Sequence, residues 1–126
     1  MLDTIENIED WAHARNIIEG ATPQAQMLKL TEEVGELAAG VARSDLALIK
    51  DSIGDAVVVL TILAQMYDLG LPECVKEAYE EIKDRKGKMV NGVFVKEDDS
   101  GKIRRAKDAQ RMFNFWTFVE TEMLMR

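Results

Sequence analysis

Ile53-Gly54-Asp55-Ala56-Val57-Val58-Val59-Leu60-Thr61-Ile62-Leu63-Ala64 is the stretch on which the fold turns. It lies in an uninterrupted run from the cap candidates Ser44 and Asp45 through to Gly70, too long for a strand, so its β-branched residues are read as helical. A helix apolar almost all round cannot face water. It is expected at the centre of a helical bundle or at a subunit interface.

Helical patterns flank it on both sides. Ile5, Ile8, Trp11, Ala12 and Ile18 recur at intervals of three and four from Asp3 to about Glu19, ahead of Gly20. Thr22-Pro23 supplies an N-cap and a first-turn proline for a second helix running to about Arg43, with Leu30, Val34, Leu37 and Val41 as its apolar stripe. Leu71-Pro72-Glu73 opens a fourth helix to about Lys86, with Gly87 at its end. Val90-Asn91-Gly92-Val93 predicts a tight hairpin turn, because both central residues need positive φ. Residues 96–101 read as a linker, and Met112, Phe115, Trp116, Val119 and Met123 give residues 104–126 the spacing of an amphipathic helix that packs on the body or on another subunit. The expectation is an all-α, four- to five-helix bundle with a short β-hairpin near residues 88–96, divided into a domain over 1–96 and a linker plus helix over 97–126.

At 126 residues one domain with one site is expected. A hydrophobic fraction of 47% beside 31% charged residues is that of a soluble globular protein and argues against disorder over most of the chain. The net charge of −7 argues against duplex nucleic acid and anionic membranes as partners, since both attract basic surfaces. One cysteine, Cys74, cannot form an internal disulfide, and no signal pattern or membrane span is visible. A cytoplasmic location follows as the expectation.

The chemistry concentrates in Lys29-Leu30-Thr31-Glu32-Glu33-Val34-Gly35-Glu36-Leu37. Glu33 and Glu36 lie about 60° apart on one helix side, with Glu32 further towards solvent. Their repulsion costs a few tenths of a kcal/mol, roughly, unless a cation sits between them. Asp55, one helical turn after Asp51, enters the most apolar helix and needs a compensating cation, either a metal or a lysine such as Lys29. An all-oxygen set of Glu33, Glu36 and Asp55, with Asp51 as a fourth, suits Mg²⁺, or Mn²⁺, rather than zinc. Magnesium shares phosphate oxygens, so a triphosphate substrate is chemically sensible. Di-iron bundles use Glu-x-x-His units; His13 is the sole histidine, read as a surface or packing residue, and iron is rejected.

Lys83-Asp84-Arg85-Lys86-Gly87-Lys88 gathers four cations at the end of the fourth helix. They either answer the helix dipole or, through Lys83, Arg85, Lys86 and Lys88, reach phosphates, with Asn91 adding an amide contact. There is no Walker-type glycine loop. Trp11, or Tyr79, is a candidate for stacking on a base, although aromatic residues at core spacing more often pack.

The segments KLTEEVGEL, DSIGDAVVVL and EIKDRKGKMVNGVFV, in that order over residues 22 to 96, resemble the MazG-like nucleotide pyrophosphohydrolases, the all-α superfamily related to dimeric dUTPases. The resemblance implies Mg²⁺-dependent hydrolysis of a nucleoside triphosphate between its α and β phosphates, giving a monophosphate and pyrophosphate. It also implies assembly as a homodimer or homotetramer. Of the family's ExxE and ExxD pair, Glu33 and Glu36 match the first half and Asp55 the last position. Ser52 stands where the second motif has Glu, and Asp51, about 40° from Asp55 on the helix, can substitute geometrically. Glu32 or Glu33 is the expected base, and Lys29 joins the phosphate-binding candidates. The rival expectation is a non-catalytic helical oligomerisation or protein-interaction module, which Ser52 favours.

Overall fold

In the computed structural model, which describes residues 1–97, 111 and 113–122, the chain forms two compact units, Met1–Ala78 and Tyr79–Arg126. The first holds α1 (Leu2–Ala14), α2 (Ile17–Gly20), α3 (Pro23–Ala42) and α4 (Leu46–Met66), and α5 (Leu71–Ile82) begins in it. The second contains a hairpin of β1 (Gly87–Val90) and β2 (Val93–Lys96) together with helical residues 113–122. The all-α class with one short hairpin is thus found as expected. The remainder of the expected linker and C-terminal helix, Met112 and Met123 included, lies outside the described residues.

The expected first helix is in fact two. Asn16 adopts a left-handed φ of 59°, and its amide bonds back to the His13 carbonyl, so α1 closes before α2 begins. Asparagine tolerates this conformation because its short polar side chain relieves the usual steric cost.

At α3 the Thr22 hydroxyl accepts from the Ala25 amide at 3.1 Å, with Pro23 in the first turn. The helix ends in a Schellman motif: Ser44 takes φ 54°, its amide bonds the Val41 carbonyl, and Asp45 N–H bonds the Gly40 carbonyl. Ser44 is therefore used to close α3, and Asp45 alone caps α4, accepting from Leu48 N–H at 3.1 Å. Three residues suffice to reverse the chain.

Gly40 makes that tight reversal feasible. A Cβ there would sit 3.1 Å from the Ile49 amide nitrogen and 3.3 Å from the Leu48 side chain. Its absence lets α3 and α4 close against each other, and this is the most extensive helix pairing in the fold.

The face of α3 that meets α4 is rotated from the expected stripe. Glu33 and Gly40 are buried with Leu30 and Leu37 half-buried, a row at intervals of three and four, whereas Val34 and Val41 are 52% and 43% exposed. The displaced register matters because it turns Glu33 inward.

Helix α4 is central, packing on α1, α2 and α3. It contributes Val59, Ile62 and Ala64 to a small core with Ile5 and Ala12 of α1, each isoleucine stabilising by about 1.5–3 kcal/mol. Thr61, fully buried, satisfies its hydroxyl on the Val57 carbonyl at 2.7 Å. Ile53 and Leu60 remain exposed, so the described residues cover α4 on only part of its circumference. A second Schellman closure, with Asp68 at φ 56° and Leu69 N–H on the Ala64 carbonyl, stops α4 at Met66, short of the expected Gly70.

Helix α5 likewise stops at Ile82, before the expected Lys86, and Gly87 is the first residue of β1 rather than a helix terminus. In the hairpin Val90 pairs with Val93 across Asn91 and Gly92, whose φ values of 50° and 79° are those the Asn-Gly turn demands. No described helix is long and apolar enough to cross a membrane.

Candidate metal centre

Three of the predicted carboxylates converge. Glu33 and Glu36 from α3 and Asp55 from α4 each offer an oxygen, and these oxygens lie within 4.8 Å of one another. Helix periodicity puts Glu33 and Glu36 on one side of α3, and the short turn folds α4 back so that Asp55 faces them.

Their surroundings differ. Glu33 is 4% exposed, Asp55 half-buried and Glu36 exposed. One Glu33 oxygen pairs with the Lys29 ammonium at 3.5 Å, while its other oxygen, Oε2, is buried with no hydrogen-bond partner. A buried carboxylate oxygen without a partner carries a desolvation cost that the protein alone leaves unmet.

The electrostatics point the same way. The Glu33 carboxylate, followed by burial, raises the Glu36 carboxyl above its ordinary value. Burial, then the charges of Asp51 and Glu33, raises Asp55. Both groups hold protons more tightly than free carboxylates, Glu36 chiefly because of the neighbouring negative charge and Asp55 chiefly because it is withdrawn from water. A divalent cation relieves each of these costs at once, and an all-oxygen donor set fits magnesium or manganese. The residues present therefore fit such an ion, on the strength of the orphaned Glu33 oxygen.

Lys29 belongs to this edge of the site. It pairs with Glu32 at 3.6 Å as well as with Glu33, and the Glu32 carboxylate foremost raises the ammonium above its ordinary value. Among the described residues no cation forms an ion pair with Asp55, although the Lys29 ammonium acts on it and partly opposes the rise of its carboxyl. Glu32 is exposed, as its helix position predicts.

Asp51 stands outside the convergent three. It is exposed and, with Asp55, borders a cleft of about 670 Å³ between α1 and α4. Thr4, Ile8 and Val58 line both this cleft and a neighbouring one of about 320 Å³ that Asn7 and Trp11 complete. Trp11 is 44% exposed, and the Arg15 guanidinium lies 4.7 Å from its ring centre. Asn7 and Thr4 were not singled out by sequence, since one polar residue on an amphipathic helix carries no distinguishing signal.

Ser52 was singled out only as a departure, yet the structure gives it weight: it is fully buried and its hydroxyl has no partner. His13 is an exposed surface residue whose Nε2 lies 2.8 Å from Gln65 Oε1. The Gln65 amide nitrogen in turn donates to Glu9 at 2.6 Å and to the Leu69 carbonyl, tying α1 to the end of α4.

The remaining phosphate-binding candidates, Lys83, Arg85, Lys86, Lys88 and Asn91, fall in the second unit and are exposed. Lys83 pairs with Glu80 at 2.6 Å, and the Lys86 carbonyl accepts from Glu97 N–H at 2.7 Å. Tyr79, also in that unit, is 53% exposed.

Comparison with known proteins agrees with the geometry. The model of the MazG nucleotide pyrophosphohydrolase domain matches residues 21–90, a span that contains all three convergent carboxylates. Over 61 residues the chain is 57% identical to an uncharacterised 18.2 kDa protein of the rep–hol intergenic region of Haemophilus phage HP1. That match covers 48% of this chain and 37% of the phage protein, so the chain spans well under half of its relative's length. No solved structure matches. With the match extending over more than half of the chain, and with the paired acids facing each other across α3 and α4, the protein belongs to the MazG nucleotide pyrophosphohydrolase domain family.

Proposed function

We propose that the protein hydrolyses nucleoside triphosphates to the monophosphate and pyrophosphate, using Mg²⁺ or Mn²⁺ held by Glu33, Glu36 and Asp55. The observation that carries this reading is the convergence of three carboxylates, one of them buried with an orphaned oxygen, inside the matched domain. When bound, the ion supplies charge neutralisation for the phosphates and a more acidic water.

The chain's own groups supply the rest. Glu32, exposed beside the cluster, accepts the proton of the attacking water; Glu33 is the other candidate base. The water oxygen bonds to the α phosphorus, the bond to the bridging oxygen breaks, and pyrophosphate leaves with that electron pair. Lys29, held by Glu32 and Glu33, offers positive charge to the substrate. Asp51 orients water from the cleft side. Trp11 stacks on the base, with the joined clefts along α1 and α4 large enough for a nucleoside. By their charge and amide chemistry, Lys83, Arg85, Lys86, Lys88 and Asn91 of the second unit are further candidates in this proposal for binding phosphate.

The exposed apolar residues Val34 and Val41 on α3, and Ile53 and Leu60 on α4, support assembly into a homodimer or homotetramer; a cytoplasmic location is part of the same proposal. The same residues equally suit a non-catalytic interaction module. Pyrophosphate release from a panel of nucleoside triphosphates with Mg²⁺ tests the enzyme reading. Turnover that disappears in Glu36→Gln is expected, and absence of turnover in the folded protein, with no binding of a non-hydrolysable triphosphate, would replace the enzyme with the module.

A further inference from the structure

Glycine inside a helix destabilises it relative to alanine, so each one calls for a reason. Gly40 has a packing reason, since a Cβ there would meet Ile49 and Leu48. Gly54 has none of that kind. It lies in the interior of α4, is exposed, and does not take a left-handed φ. Among the described residues, a Cβ built on it meets nothing within 4 Å beyond the local backbone.

What adjoins Gly54 is the cleft of about 670 Å³. Ala47, Asp51, Gly54 and Val58 form a row at intervals of four and three along α4, and all four line this cleft together with Ile5 and Ile8 of α1. The glycine leaves bare backbone in the middle of the row. Asp55, the next residue, borders the same cleft and also offers an oxygen to the convergent carboxylates. The cleft therefore begins where the metal centre ends. In a nucleoside triphosphate placed for attack at the α phosphorus, the group attached to that phosphorus on the side away from the leaving pyrophosphate is the pentose, through its 5′ oxygen. Consecutive Cα atoms are only about 3.8 Å apart, so a group joined directly to a phosphate beside Asp55 comes next to Gly54.

We propose that Gly54 is a specificity-determining residue whose missing side chain lets the pentose of the nucleotide lie against the bare backbone of α4, between Asp51 and Val58. The inference rests on the nucleotide-hydrolysing reading above. The same absence that makes room for the ligand weakens the helix.

The test compares two ligands by calorimetric titration in Mg²⁺: inorganic tripolyphosphate, which has phosphates and no sugar, and the tightest binder among the α,β-methylene analogues of the common nucleoside triphosphates. Gly54→Ala is expected to raise the melting temperature in chelator by about 2–4 °C, because the new methyl meets nothing and the helix gains propensity. It is expected to weaken the analogue about 10-fold, as an extra methyl in filled space does, and to leave tripolyphosphate unchanged. Gly54→Leu, of similar helix propensity but longer, should weaken the analogue further. Gly35→Ala, at a helical glycine also without neighbours but lining none of the clefts described, should leave the ratio of the two affinities unchanged; a shifted ratio there overturns the assignment to Gly54. Equal weakening of both ligands by Gly54→Ala, no weakening of the analogue, or loss of stability overturns the inference and leaves the enzyme reading intact. So does an altered oligomeric state with an unchanged ratio, which would give Gly54 to a contact between copies. A wild type that binds neither ligand overturns both readings, and one that binds the analogue but not tripolyphosphate removes the phosphates as the anchor and overturns the placement of the pentose.

Discussion

Replacing Asp55 by asparagine keeps the shape of the side chain and removes one charge from the cluster, so its effect on stability should change sign with the metal. In chelator the wild-type protein carries like charges within 4.8 Å. At that separation one pair costs roughly 0.9 kcal/mol even when screened as in water. Unfolding entropy for a chain of this length is about 0.26 kcal/mol/K, so relief of the Asp55–Glu33 pair alone raises the melting temperature by about 3 °C. With Mg²⁺ at a hundred times its dissociation constant, the wild type gains ~2.7 kcal/mol, or about 10 °C. The variant has lost a ligand and should gain almost none of this. Differential scanning fluorimetry in chelator and in Mg²⁺ measures both arms. A variant less stable than wild type in chelator would show that Asp55 makes a net favourable contact in the metal-free protein. Full retention of the Mg²⁺ response would remove Asp55 from the site.

The raised carboxyls of Glu36 and Asp55 give a pH dependence whose sign is fixed. Their folded values exceed the unfolded ones, so between the ordinary carboxylate value and the raised one the folded state binds more protons, and stability falls as pH rises through that window. Melting temperature in chelator should therefore increase on acidification into the window, against a background from other groups that the Asp55→Asn and Glu36→Gln variants subtract, and Mg²⁺ should flatten the difference. Gly40→Val puts branched atoms against the Ile49 amide and is expected to cost about 1–3 kcal/mol by urea unfolding, with Mg²⁺ affinity reduced in parallel as the ligand-bearing helices part. Thr22→Ala removes the cap on Ala25 N–H and should cost about 1 kcal/mol without altering Mg²⁺ affinity, a control for stability alone.

Much of this was legible in the sequence because the signals were local. Thr22-Pro23, Asp45 and Asn91-Gly92 act on their immediate backbone, and each does in the structure what its chemistry predicts. Helical spacing likewise put Glu33 and Glu36 on one side, and the apolar run around Asp55 marked that aspartate as needing a partner. Helix ends at Asn16 and Asp68 were harder, since non-glycine residues take left-handed φ there and periodicity runs through them unbroken. The orientation of α3 was not legible: Val34 and Val41 look like core, but Gly40 sets the line of closest approach and brings Glu33 inward in their place. The orphaned Ser52 hydroxyl is a property of packing, which no single position can reveal.

The three-residue reversal between α3 and α4 also bears on how the molecule comes to be. Glu33 and Asp55 are only 22 positions apart in the chain, and what lies between them is a pair of capped helices and their turn. Bringing the ligands together thus closes a short loop, at low entropic expense. If the hairpin is already paired at the folding barrier, a cation that bridges it acts on that barrier. Mg²⁺ should then quicken folding, and not merely retard unfolding.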